Sequence, residues 1–152
     1  MPGEGKPILL MYPGLSGGAC NWYTMGLIFI AEKNGYVCGT LLFRGSENLP
    51  LTSPMYCIST SWGDGIELST HVHKKYCLDS SGAKTRNLYG YGCSLGAVLL
   101  MRQLEEEGSN TKFDGSVQYA TPWATYDGWQ FFFCHNFGIY SWVIGMNLSA
   151  IW

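Results

Sequence analysis

"NLYGYGCSLGAVLL", residues 87–100, contains the corner from which the fold can be predicted. An apolar run typical of a buried strand meets Gly92-Cys93-Ser94-Leu95-Gly96 and continues as an apolar helix. A serine that projects from such a corner needs a strained, sharply turned backbone, with only very small side chains two residues before and after it. The strand-turn-helix context therefore favours the G-x-S-x-G pattern of an exposed nucleophilic serine. The alternative is a glycine-rich β-to-α turn with an incidental serine.

Strand and helix patterns alternate on both sides of this corner. Apolar runs predict strands at 7–13, 36–45 and 113–123, in addition to the strand before Ser94. Helices are predicted at 20–35, with Gly35 as the C-terminal cap, at 64–76, with Asp64 as the N-cap, and after Ser94. This alternation predicts an α/β fold with a mostly parallel sheet of about four strands and helices on both faces.

The composition limits the class of protein. The chain has 152 residues, of which 47% are apolar and 13% are charged, so a folded domain with a substantial core is expected. The net charge of −2 offers no basic surface, which excludes nucleic acid as an expected partner. No secretory signal pattern opens the sequence, and the six cysteines include no CxxC pair. We therefore expect free thiols and a cytoplasmic or membrane-associated protein.

The last segment, residues 128–152, differs in character from the rest. It contains eight aromatic residues and no Asp, Glu, Lys or Arg, but polar residues interrupt the apolar run every few positions. These interruptions favour an aromatic pair of surface helices, covered by more protein or touching lipid, over a membrane-spanning helix.

"YPGLSGG", residues 12–18, is the second chemically suggestive segment. A serine enzyme that transfers acyl groups needs two N–H donors aimed at the oxyanion of its intermediate. The Leu95 N–H, directly after the serine, is one candidate, and the Leu15 N–H in this early glycine-rich loop is the other. The alternative is a Pro-Gly turn that serves the geometry of the chain alone.

Four segments together carry a family resemblance: "PILLMYPGLSGG", "LLFRGSENLPLTSPMY", "DGIELSTHVHKKY" and "GYGCSLGAVLL". With them the chain resembles the α/β-hydrolase superfamily, and more narrowly the AB-hydrolase type 4 family of esterases and lipases, from residue 7 to 152. Arg44-Gly45, Leu51-Thr52 and Tyr56 are the more specific part of the match.

The resemblance implies a serine carboxylic-ester hydrolase that acts on acylglycerols, phospholipids or another small acyl ester. It implies Ser94 as the nucleophile, Leu15 and Leu95 as donors to the oxyanion, and no metal or organic cofactor. Cys93 is expected to be a packing residue, and His71 and His73 surface or packing residues. The expected organisation is one incomplete domain over 1–152, with the sheet core and its nucleophile elbow over 7–124. Residues 125–152 would begin an aromatic cap that could touch a membrane surface.

The acid and the histidine of the triad are expected after the nucleophile, on later strands. The chain therefore resembles the N-terminal half of the catalytic domain, truncated before both. The local candidates are Asp127 and His135, which are weak because they are only eight positions apart with no strand between them. Three other acids, at positions 64, 79 and 114, are better explained by helix capping and turns. The alternative function is a catalytically inactive fragment that binds lipid or a partner.

Overall fold

The strands form a single sheet at the centre of the first of two compact units. The computed structural model of the protein describes residues 5–47, 49–55, 61–134 and 138–151. One unit ends at Thr121 and the other begins at Pro122. In the first unit the strands are β1 (Ile8–Tyr12), β2 (Val37–Thr40), β3 (Leu88–Cys93) and β4 (Gly115–Tyr119). All neighbours pair in parallel, in the order β2-β1-β3-β4, which confirms the predicted α/β class.

Helices cover the two faces of this sheet. Side chains at alternate positions of β1, such as Ile8 and Leu10, point to one face and join the buried core. Helices α2 (Gly63–Val72) and α3 (Leu95–Glu107) contribute to that core. Helix α1 (Trp22–Lys33) lies against the other face, where Leu27 and Ala31 line a groove with Leu9. The parallel strands and these crossovers place the end of every strand at the same edge of the sheet.

Two strands, β2 and β4, are shorter in the structure than the sequence pattern predicts. Strand β2 stops at Thr40 because Leu41 makes the last bond to β1, its N–H donating to the Met11 carbonyl at 2.8 Å. Beyond that point β1 turns at Pro13, which has no N–H to continue a ladder. Strand β4 stops at Tyr119, because Ala120 adopts a positive φ of 53°.

The predicted cap of α2 is wrong, whereas that of α1 is confirmed. Trp62 precedes α2, and Asp64 lies inside its first turn. The Asp64 carboxylate instead accepts two bonds from the Arg44 guanidinium, at 2.7 and 2.5 Å. After Val72 the chain continues as a π-helical stretch, His73–Cys77. Gly35 follows the end of α1 with φ 86°, as expected of a glycine that ends a helix.

The second unit contains two helices, as the aromatic segment predicts. These are α4 (Thr125–Cys134) and α5 (Ile139–Ile151). Large apolar side chains on both are more than half exposed, among them Phe131 and Trp142. No helix within the described ranges is long and apolar enough to span a bilayer. The five described cysteines, at positions 20, 38, 77, 93 and 134, are free thiols.

Candidate active site

Ser94 occupies the turn between β3 and α3. Its backbone has φ 53° and ψ −115°, a conformation that residues other than glycine rarely adopt. Its N–H donates to the Tyr119 carbonyl at 3.0 Å, and its carbonyl accepts from Ala97 and Val98 in the first turn of α3. Strand β4 and the helix therefore hold the serine backbone from both sides. The residue itself is exposed to solvent.

Glycines allow the close approach that this turn requires. A Cβ at Gly92 would lie 2.6 Å from the Ala97 Cα and 2.7 Å from the Gly96 carbonyl oxygen. A Cβ at Gly96 would overlap the carbonyl oxygens of Tyr12 and Pro13. All of these obstacles are backbone atoms, which cannot rotate away. Both glycines are therefore required for α3 to pack this closely on the ends of β1 and β3.

The early glycine-rich loop lies beside the serine. A Cβ at Gly14 would sit 3.4 Å from the Ser94 Cβ. The Gly14 N–H donates to the Tyr23 hydroxyl at 3.0 Å, and the Gly17 N–H donates to the Gly14 carbonyl at 2.8 Å. Together with Ser16 at φ 56°, these bonds fix a tight turn next to Ser94. The two segments singled out from the sequence are thus brought together.

The N–H groups of Leu15, in the loop, and Leu95, the first residue of α3, are among the backbone amides near this corner that have no acceptor in the described part of the chain. The Leu95 N–H is one of the four that a helix cannot satisfy by itself, and the helix dipole adds a partial positive charge there. The corner is therefore suited to a developing negative charge.

A buried polar network ties the strand beneath the loop to the two helices of the core. The Tyr12 hydroxyl donates to the Gln103 Oε1 at 2.7 Å and also contacts the Gly65 carbonyl at 3.2 Å. The Gln103 amide donates to Ser69 Oγ at 2.8 Å and to the Glu107 carboxylate at 3.0 Å. Burial, together with the negative charge of Glu107, raises the pKa of Tyr12, so the phenol remains a donor.

The thiol beside the serine is in its protonated form at neutral pH, because burial raises the pKa of Cys93. This agrees with a packing role rather than a second nucleophile.

The histidines before the serine lie away from it. His71 is exposed on α2. Burial, followed by repulsion from Lys84 and Lys112, lowers the pKa of His73, and attraction from Asp114 opposes this shift. Lys84 and Asp114 precede β3 and β4, so His73 lies towards the amino ends of the strands. Ser94 follows the carboxyl end of β3, at the opposite edge.

Two of the remaining candidate acids, Asp79 and Asp114, have structural partners. Asp79 accepts bonds from the N–H groups of Ser81 and Ala83 in a turn, and the Ser81 hydroxyl is the first of the contacts that lower its pKa. Asp114 pairs with Lys84 and accepts the Leu88 N–H. Asp127 is exposed in the first turn of α4, in the second unit. His135, the other weak triad candidate, lies outside the described residues.

Three residues of this region were not identified from the sequence. Tyr23 supports the Gly14 turn, and Gln103 anchors Tyr12. The Glu47 carboxylate accepts the Cys20 N–H at 3.1 Å, and its atoms occupy the space that a Cβ at Gly18 would need. The sequence holds a weak signal for Tyr23 alone, as a tyrosine in the first turn of the helix after the glycine-rich loop.

Comparisons with known proteins identify lipid hydrolases among the similar sequences. No protein-family model matches the chain. Phospholipase ABHD3 of Homo sapiens is 30% identical over 128 residues, which is 83% of this chain and 29% of that protein. Monoacylglycerol lipase of Saccharomyces cerevisiae is 26% identical over 150 residues, or 95% of this chain and 31% of that protein. Embryogenesis-associated protein EMB8 of Picea glauca is 29% identical over 117 residues, or 77% and 24%.

The chain thus spans between about a quarter and a third of the length of these relatives. The similarity supports the α/β-hydrolase superfamily, and the four-stranded parallel sheet is consistent with a partial fold of that kind.

Proposed function

We propose that the chain carries the nucleophile of a serine hydrolase that cleaves carboxylic esters of lipids, acylglycerols or phospholipids. The observation that carries this proposal is the conformation of Ser94. It is an exposed serine held at positive φ where a strand meets a helix, beside a second glycine-rich turn. The names of the phospholipase and monoacylglycerol lipase relatives supply the substrate class. In this proposal the turn is a nucleophile elbow, in the N-terminal half of a type 4 hydrolase domain.

The proposed reaction follows from the groups around the serine. A base removes the hydroxyl proton as Ser94 Oγ attacks the ester carbonyl carbon, and the N–H groups of Leu15 and Leu95 bind the oxyanion. The base then gives its proton to the departing alcohol oxygen, leaving an acyl-serine. Water, deprotonated by the same base, then attacks the acyl carbon. The bond from that carbon to Ser94 Oγ breaks as the base returns the proton to Oγ, which releases the fatty acid and the free serine.

We place the base and its acid partner outside this chain. His71 lies in the last turn of α2, two residues before His73, which lies towards the opposite edge of the sheet, so neither is suited to accept the Ser94 proton. The greater length of the relatives leaves room for a histidine supplied by further sequence. In this proposal residues 125–152 begin the cap region of such a domain. The alternative base within the chain is His135, with Asp127 as its acid.

An added base tests this proposal on the chain itself. Hydrolysis of p-nitrophenyl octanoate is measured at neutral pH with increasing imidazole, which can take the place of a missing histidine. We expect the protein to add to the background rate in proportion to imidazole, and Ser94→Ala to lose that increment. Ser109→Ala, at an exposed serine on the 3-10 turn after α3, is the matched control and should keep it.

Two further outcomes of this assay are decisive. Equal rates for the unchanged protein and Ser94→Ala would contradict the proposal. Hydrolysis that needs no imidazole and disappears in His135→Ala would instead locate the base within the chain.

A second candidate function is lipid or partner binding without catalysis. It is favoured by the exposed aromatic side chains of α4 and α5, among them Tyr126 and Trp142, which are 69% and 66% exposed. Aromatic rings at a polar surface are suited to the interface of a bilayer. Co-sedimentation with phosphatidylcholine vesicles tests this function. We expect Trp142→Ser to weaken the association, whereas Trp22→Ser, an equally polar change on α1 of the first unit, should matter less.

A further inference from the structure

A pocket lies at the opposite edge of the sheet from Ser94. It has a volume of about 790 Å³ and lies between the amino ends of β1 and β2 and the π-helical stretch after α2. A volume of this size is within the range of pockets that hold small ligands. Its walls are mostly apolar and include Ile8, Leu10, Val37 and Val72. Lys6 and Arg86 precede β1 and β3, whereas Ser94 follows the carboxyl end of β3, so this pocket is distinct from the candidate active site.

Arg86 is a charged side chain in this pocket whose bonding is incomplete. The residue is only 8% exposed, and its Nε donates to the Lys6 carbonyl at 2.6 Å. Its Nη2 is buried and has no hydrogen-bond partner in the described part of the chain. Burying a guanidinium with one N–H donor unbonded costs free energy, and a carboxylate is the acceptor that the geometry of a guanidinium fits best. The pocket therefore provides one strong anion-binding group against apolar walls.

The other charged side chains around the pocket favour a ligand that carries one negative charge. Lys6 also lines it, whereas Glu32 on α1 is the acid that lines it. Among the described residues that line the pocket, two cations outnumber one acid, so a ligand with one negative charge is preferred over a neutral one.

We propose that this pocket binds an aliphatic carboxylate, a fatty acid whose head group pairs with Arg86. The hydrocarbon chain then lies along Ile8, Leu10 and Val72. The carboxylate pairs with the positive charge of the guanidinium, and the hydrocarbon chain removes the apolar walls from water. This inference does not depend on the proposed function, because no residue of the pocket belongs to the candidate active site.

Calorimetric titration of the protein with sodium dodecanoate, below its micelle concentration, tests the proposal. We expect saturable binding at one site, with 1-dodecanol binding at least about ten-fold more weakly because it has no charge for Arg86. Arg86→Met should weaken dodecanoate binding by about ten-fold or more and leave dodecanol binding nearly unchanged. Methionine of similar length replaces an incompletely bonded buried charge, so the variant is expected to fold.

Three further variants keep the test independent of Arg86→Met. Glu32→Gln, at an exposed position, removes repulsion and should strengthen dodecanoate binding by up to about five-fold without affecting dodecanol. Glu105→Gln, on the exposed side of α3, is its matched control and should change neither. Ser94→Ala should bind dodecanoate as the unchanged protein does, which separates this pocket from a product site at the serine.

Equal binding of the acid and the alcohol to the unchanged protein would overturn the proposal. So would dodecanoate binding that is unaffected by both Arg86→Met and Glu32→Gln. Loss of binding in Ser94→Ala alone would assign the ligand to the candidate active site instead.

Discussion

At the scale of single residues, the turn at Ser94 combines a rare backbone conformation with neighbours that have no side chain. A non-glycine residue at positive φ costs on the order of 1–3 kcal/mol, so the surrounding structure must hold it in place. The bond from the Ser94 N–H to Tyr119 and the two bonds to its carbonyl do this. The glycines at 92 and 96 let the backbone segments approach closely enough for these bonds to form.

We predict that alanine is tolerated poorly at both of these glycines and well at matched positions. In urea unfolding, Gly92→Ala and Gly96→Ala should each lower the free energy of unfolding by about 2 kcal/mol or more, because the new Cβ would overlap backbone atoms. Gly115→Ala, in strand β4, should change stability little, since its Cβ would be 3.5 Å from the Tyr89 ring. Gly26→Ala, in α1, should raise the free energy of unfolding by up to about 1 kcal/mol, because its Cβ would meet open space and alanine favours a helix. Equal effects at all four positions would contradict this explanation of the turn.

The candidate site was predictable from the sequence only where local chemistry defines it. The spacing of Gly92, Ser94 and Gly96 predicts the turn, because the steric constraint acts between residues that are two positions apart. Gln103 and Tyr12 are 91 positions apart, and their bond depends on how α3 packs across β1. No pattern within either segment reports such a pairing. The Arg44 bond to Asp64 is a similar case, and it explains why the predicted cap of α2 was wrong.

At the scale of secondary-structure elements, the periodicity of the sequence located the strands and helices better than it located their ends. Strands β1 and β3 were predicted to within about a residue or two, because both of their neighbours are strands. The edge strands β2 and β4 were predicted too long. Their lengths depend on how far the neighbouring strand continues, which their own apolar residues do not reveal.

The buried network centred on Gln103 connects β1, α2 and α3, and we predict that it acts as one unit. Tyr12→Phe and Gln103→Leu should each lower the free energy of unfolding by about 1–3 kcal/mol, since each leaves a buried polar group without its partner. The double variant should lose less than the sum of the two, because the shared bond is removed only once.

Denaturant unfolding of the two single variants and the double variant measures this coupling. Gln118→Leu, at a half-buried glutamine of β4, is the control and should change stability by less than about 0.5 kcal/mol. Strict additivity of Tyr12→Phe and Gln103→Leu would show that the bond between them contributes nothing.

At the scale of the whole molecule, ionised carboxylates stabilise the first unit, and we predict that its stability falls in acid. Burial alone would raise the pKa of Asp114, but bonds from Lys84 and the Leu88 N–H lower it below its ordinary value. The unfolded chain therefore takes up the proton at a higher pH than the folded one. The stabilisation is complete above a pH of about 4, the ordinary value, and is lost as the pH falls towards the folded pKa.

Urea unfolding as a function of pH checks this sign. Asp114→Asn should be less stable than the unchanged protein at pH 7, and its stability should fall less steeply below a pH of about 4. A slope that is the same in the two proteins would show that Asp114 does not contribute to the acid dependence.

The central claim is that Ser94 is a nucleophile that faces an oxyanion site. Its most direct test is to identify which of the chain's serines reacts with an active-site probe. The protein is incubated with a long-chain alkyl fluorophosphonate and imidazole, and the modified peptide is identified by mass spectrometry. We predict a single adduct on Ser94, formed faster as imidazole is raised, and none on Ser109. An adduct spread over several exposed serines, or none on Ser94 in the folded protein, would contradict the account.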